Sequence, residues 1–207
     1  GAGATVFVPP GKYRIDGSLT VPERTKITGN LGNPGTGWQP PTSLEFTTAE
    51  NDYVALTLGQ YVTISDLIFT GSYEFDYTTT CMSGQIGVLD NITVRGFYTG
   101  VTATAYYMVL NKVEFNRNAI ALDLVGCYNV NLYGCQFQNQ AENGGYDDSI
   151  SIQADVVRSL NVYGGAIEGY QRGIVVAGSG GVHLFGVYFE PSKVDLDGVR
   201  STAVELD

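Results

Sequence analysis

The sequence predicts an all-β protein, a right-handed parallel β-helix whose short strands stack as the coils of a β-solenoid. Three observations lead there. Six segments repeat one apolar pattern at intervals in the low twenties, the period of a solenoid coil. Within them apolar residues recur every second position, the period of a strand and not of a helix. The composition is that of sheet: 27 Gly in 207 residues, 14 Tyr, 9 Phe and only 15% charged residues.

Residues 1–60 read as irregular N-terminal coils. Thr5-Val6-Phe7-Val8 is a strand, Pro9-Pro10-Gly11 a turn, and Lys12 to Ile15 a second strand. Leu19-Thr20-Val21 and Lys26-Ile27-Thr28 continue the series. The Gly- and Pro-rich stretch 32–41 blocks any ladder and is a loop. Ser43 to Phe46 and Val54 to Leu58 resume the pattern.

Residues 61–207 read as regular coils of the same single domain. The repeats run Val62 to Thr70, Leu89 to Arg95, Leu110 to Asn116, Val130 to Gln138, Leu160 to Glu168 and Val182 to Glu190. Their last inward residues, Phe69, Val94, Phe115, Phe137, Ile167 and Phe189, are spaced 25, 21, 22, 30 and 22 apart. These six should form one inward stack. Ile64, Leu89, Leu110, Leu132, Val162 and Leu184 should form another, with small register slips. A second alternating strand follows most repeats, at Gly100–Ala103, Ala119–Asp123, Ser149–Ile152, Gly173–Val176 and Ala203–Leu206. An immunoglobulin-type sandwich has turns at ~8–12 residues but no self-similarity at twice that spacing. The sequence opens and closes in mid-pattern, which suggests a stretch of a longer protein.

A net charge of −10 argues against nucleic acid as a partner, since phosphate binding needs clustered Lys and Arg. No run of about 18 apolar residues is present to cross a bilayer as a helix. Cys81, Cys127 and Cys135 lack metal-ligand spacing, and Cys127 and Cys135 read as small buried wedges. No cofactor or metal is expected.

Val6-Phe7-Val8-Pro9-Pro10-Gly11-Lys12-Tyr13-Arg14-Ile15, with Leu19 to Pro22 and Ile27 to Asn30, resembles the opening coils of the pectate-lyase-like β-helix superfamily, in particular bacteriophage tailspikes and appendages. Gly164 to Glu168 and Val182 to Glu190 are similar to the rung sequences of those spikes. The short amphipathic helix that usually precedes the Pro-Pro-Gly strand in that family does not appear in this sequence. The resemblance implies a homotrimer, on the virion or outside the cell, that binds and often cleaves bacterial cell-surface polysaccharide.

Stacking places equivalent residues ~4.8 Å apart in columns. The column after the anchors reads Thr70, Arg95, Asn116, Gln138, Glu168, Glu190, and the column before reads Ile68, Thr93, Glu114, Gln136, Ala166, Tyr188. Glu168 and Glu190 are the first candidates for a catalytic pair, because glycoside hydrolysis uses two carboxyl groups, ~5–5.5 Å apart when retaining and ~6.5–9.5 Å when inverting. The alternative is a solvated ladder at a coil corner. The 30-residue interval carries about eight extra residues, which end in Asp147 and Asp148; these suit a general base, a Ca²⁺ ligand or a turn-to-strand cap.

Gln138, Tyr170 and Tyr188 sit beside the carboxylates as candidate sugar contacts, and Arg172 and Arg95 as candidate partners for an acidic sugar. His183 belongs to an outward column with Asn131 and Asn161. Tyr133, Tyr163 and Phe185 form an outward aromatic column suited to a subunit contact or to sugar stacking. The expected function is polysaccharide binding with hydrolysis. Non-catalytic glycan adhesion and a secreted polysaccharide lyase are the alternatives.

Overall fold

The structure, a computed structural model, describes residues 3–31, 41–71, 77–139, 149–178, 180–190 and 202–206. Among these the chain forms strands and no helix. The first turn holds β1 (Thr5–Phe7) and β2 (Gly11–Ile15). The next holds β3 (Leu19–Val21), β4 (Lys26–Thr28) and β5 (Thr42–Phe46). In the following two, one long strand serves two sides of the coil: β6 (Val54–Ser65) precedes β7 (Ile68–Thr70), and β8 (Thr80–Asp90) precedes β9 (Thr93–Arg95).

After that, three strands per coil become regular. They are β10 (Thr99–Ala103), β11 (Tyr107–Asn111) and β12 (Glu114–Asn116), then β13 (Ile120–Val125), β14 (Asn129–Tyr133) and β15 (Gln136–Gln138). β16 (Ile150–Asp155), β17 (Ser159–Tyr163) and β18 (Ala166–Glu168) come next, then β19 (Arg172–Ala177), β20 (Gly181–Phe185) and β21 (Tyr188–Glu190). β22 (Thr202–Leu206) closes the series.

Every pairing is parallel, and each regular strand pairs with the strand one coil on. The first face is β10-β13-β16-β19-β22, the second β11-β14-β17-β20 and the third β9-β12-β15-β18-β21. This is the winding of a β-solenoid, and it follows from the repeat. Strands too short to stand alone bury their apolar residues only by stacking on the next coil.

Both expected inward columns form. Phe69, Val94, Phe115, Phe137, Ile167 and Phe189 are successive register partners, extended downward by Leu44 and Tyr13. Ile64, Leu89, Leu110, Leu132, Val162 and Leu184 are likewise in register, without slips. The shift that does occur lies elsewhere in the β6–β8 pair, between Leu58 and Thr63.

The Phe115 and Phe137 rings stack at 5.1 Å, 10° from parallel. Opposite them the first face supplies small buried residues, Cys81, Gly100, Ala121 and Ser151. A Cβ on Gly100 would lie 2.9 Å from a Phe115 ring carbon and 2.4 Å from the Ala121 carbonyl oxygen, so the ring stack dictates the small column.

The corners explain the turn position of the repeat. Between the second and third faces, Asp66, Asn91, Lys112, Gly134, Gly164 and Gly186 occupy equivalent places, all with φ between 51° and 65°. One left-handed residue bends the chain from face to face, which is why Gly, Asn and Asp dominate there. Cys127 and Cys135 are buried just beyond two such bends and, with the buried Cys81, remain free thiols. Burial pushes the Cys135 thiol up to about 11.

Candidate functional site

The third face carries the candidate site because its three-residue strands point only their middle residue inward. The flanking residues face out: Thr70, Arg95, Asn116, Gln138, Glu168 and Glu190 on one side, Ile68, Thr93, Glu114, Gln136, Ala166 and Tyr188 on the other, all in register. Arg95 donates from Nε to Thr70 Oγ1 at 3.1 Å, a contact between neighbouring rungs.

Glu168 and Glu190 are direct register partners, both half-buried. The Tyr188 hydroxyl donates to Glu190 Oε2 at 3.2 Å. That bond, then the Glu190 charge and, more weakly, the Glu168 charge hold the Tyr188 phenol above its ordinary range, so the phenol senses both carboxylates. The Tyr188 ring is 56% exposed, as a sugar contact requires, and Gln138 lies one rung below Glu168.

Two expected sugar contacts are placed differently. Tyr170 is only 3% exposed and packs in the core. The preceding Gly169 sits at φ 73°, and the bend there turns the next side chain inward instead of leaving it beside the carboxylates. Arg172 opens β19 on the first face, paired with Ile150 and Thr202, and its Nε is buried. It therefore starts a different face from the one that carries Glu168 and Glu190. Asp147 and Asp148 lie outside the described residues.

One titratable group escaped the sequence reading. Asp123 faces outward from β13, between Thr102 and Gln153 in register, and its Oδ1 is buried. Burial raises its carboxyl above the ordinary carboxylate range; a Thr102 hydrogen bond opposes this, and the charge of Asp155 adds to it. The available signal was a lone carboxylate inside the apolar alternation Ala121-Leu122-Asp123-Leu124. Among the described residues, no three His, Cys, Asp or Glu side chains gather in a way that would hold a metal ion.

Chemically, the third face offers a pair of adjacent carboxyl groups with a phenol anchoring one of them, flanked by amides. No family model and no curated protein matches this chain. Among solved structures it is similar to ORF18 of Geobacillus virus E2, with 13% identity and a TM-score of 0.48, over 90% of this chain and 51% of that one. The chain thus spans about half the length of that protein.

Proposed function

We propose that this chain is a right-handed parallel β-helix of the phage-appendage kind, displayed on a virion or outside the cell. In this reading it binds bacterial cell-surface polysaccharide and hydrolyses it at Glu168 and Glu190. The observation that carries the proposal is the direct register of these two glutamates. Like charges directly opposite each other on neighbouring strands are destabilising, so their placement carries a cost that a catalytic role explains. Strand neighbours ~4.8 Å apart set the spacing near the ~5–5.5 Å of a retaining pair. Right-handed winding follows the strong preference of parallel crossovers.

In this scheme Glu168 gives its proton to the glycosidic oxygen as the bond to the anomeric carbon breaks. Glu190, its carboxylate fixed by Tyr188, attacks that carbon from the opposite side. Water activated by Glu168 then releases the sugar. The exposed Tyr188 ring and the Gln138 amide position the chain.

The experiment is a reducing-end assay on a panel of capsular and O-antigen polysaccharides. Glu168→Gln and Glu190→Gln should each lower turnover at least ~100-fold, the low end for losing acid–base catalysis. Glycan binding and thermal stability should hold or rise slightly. Full activity in both variants overturns the assignment. A non-catalytic adhesin is the second reading, favoured by the continuity of the polar column, in which Arg95 and Thr70 bond as a plain ladder. Binding without release of reducing ends by the unmodified chain selects it, and ultraviolet absorbance of an unsaturated uronate would mark a lyase instead.

A further inference from the structure

The outward side chains of the third face change size abruptly beside the glutamate pair. One outward column reads Ile68, Thr93, Glu114, Gln136, Ala166 and Tyr188. Only Ala166 in it ends at Cβ, and Ala166 opens the three-residue strand that Glu168 closes. Its column neighbours, Gln136 below and Tyr188 above, are two strand spacings apart, ~9.6 Å. The rung between them is a trough floored by the Ala166 methyl. Ala166 is 7% exposed, the depth of a floor under taller neighbours.

The two walls differ in chemistry. The Tyr188 hydroxyl reaches Glu190 Oε2 at 3.2 Å on its own strand, so the ring lies along its rung as the upper wall. It is 56% exposed, which leaves aromatic surface open to a ligand. The lower wall is Gln136 and Gln138, on either side of the inward Phe137. Among the described residues neither carboxamide forms a hydrogen bond. The rungs beneath are different: there Thr93 and Asn116 both donate to Glu114, each at 3.4 Å. Glu168 stands at the far end of the trough.

A sugar substituent that fits this trough is small, since one rung is all the width on offer. It ends in an apolar group, to lie on the Ala166 methyl and the Tyr188 ring. It also carries a donor and an acceptor together, because a carboxamide offers both in return. A hydroxyl has no apolar end, and an O-acetyl ester has no donor. A carboxylate would add a like charge beside Glu168 and Glu190. An acetamido group has the methyl, the N–H and the carbonyl.

We propose that the trough selects an N-acetylated amino sugar flanking the cleaved bond, with Ala166 admitting its methyl and Gln136 pairing with its amide. This rests on the reading of the third face as the hydrolytic site, and it names the sugar that site takes.

Two polymers that differ only in the acyl group provide the test. One is an N-acetylated bacterial polysaccharide cleaved by the unmodified chain. The other is the same polymer de-N-acetylated and then N-formylated, which keeps the amide and loses the methyl. On the formylated polymer kcat/KM should fall at least ~10-fold, the low end for one missing carbon in an apolar pocket. Ala166→Leu, which fills the trough, and Gln136→Leu, which removes the amide, should each erase that difference with the sheet circular dichroism unchanged. Equal turnover of both polymers by the unmodified chain, or a difference that survives both variants, overturns the proposal. If no polysaccharide yields reducing ends, hydrolysis fails separately and binding decides the sugar. In saturation-transfer NMR with the methyl glycosides of N-acetylglucosamine and glucose, the acetyl methyl should receive the strongest saturation, and lose it in Ala166→Leu and Gln136→Leu. No saturation of the acetyl methyl, or equal saturation in both folded variants, overturns the proposal. Should Ala166→Leu fold poorly, Gln136→Leu, at a half-buried outward position, carries either arm alone.

Discussion

Val156 stands at the corner between the first and second faces with φ 54°, where Gly126 (φ 64°) and Gly178 (φ 56°) occupy the rungs on either side. Left-handed backbone costs an L-residue roughly 1–2 kcal/mol, and branching at Cβ makes it worse. The side chain recovers little, being 57% exposed. Val156→Gly should therefore raise unfolding stability by about 1 kcal/mol, net of the entropy glycine loses on folding, read as a higher urea midpoint at unchanged slope. Asp123 makes a pH-dependent contribution. Its folded carboxyl, raised above 3.8 mainly by burial, holds a proton that the unfolded chain has already released. Its contribution is then most favourable at low pH and is lost as pH rises from about 3.8 through the raised folded value; at neutral pH the buried charge is a net cost. Asp123→Asn should be more stable than the unmodified chain at pH 7, with the difference shrinking toward pH 3. Denaturation at a series of pH values checks it, and equal stability at all of them refutes it.

The strands were legible in the sequence wherever the period-two pattern and a left-handed corner coincided. Val130-Asn131-Leu132-Tyr133-Gly134 announces two inward residues, two outward ones and a bend; β14 starts one residue earlier, at Asn129, and ends at Tyr133, just before the bend at Gly134. The same logic put Glu168 and Glu190 in one column, because the anchors Ile167 and Phe189 fix which neighbours face out. Legibility fails where a bend carries no fixed signature. Lys112 and Arg117 adopt φ 51° and 55° although neither residue type advertises it. At the third-to-first corner the sequence pattern left Tyr170 outside, whereas the turn at Gly169 delivers it to the core. The continuous β6 and β8, which cross from the first face to the second, were also hidden: Tyr61 takes a left-handed φ of 56° that its residue type does not advertise, and Gly84 has φ 143° in place of the usual bend. Asp123 escaped because its burial comes from its neighbours on the first face; the local trace, a lone carboxylate in an apolar alternation, marks the position and not the burial.

At the scale of the whole molecule, each coil touches only the coils beside it, so energetic coupling should decay along the axis as in a one-dimensional lattice. The inward column of the third face provides the measurement. Phe115 and Phe137 stack at 5.1 Å, whereas Phe69 and Phe137 are three rungs apart, ~14 Å at ~4.8 Å per rung. All three rings are at most 1% exposed. Leucine is close enough in volume to keep each coil folded, at a cost of up to about 1.5 kcal/mol per site, while removing the aromatic pairing. In double-mutant cycles by urea denaturation, Phe115→Leu with Phe137→Leu should show a coupling of ~0.5–1.5 kcal/mol, the worth of a stacked aromatic pair beyond its buried area. Phe69→Leu with Phe137→Leu should add to within ~0.3–0.5 kcal/mol. If the distant pair couples as strongly as the adjacent one, the coils act as one indivisible core, and the nearest-neighbour account of the fold fails. If neither pair couples, the stack is held by its flanking small residues and the ring-to-ring contact contributes nothing beyond burial.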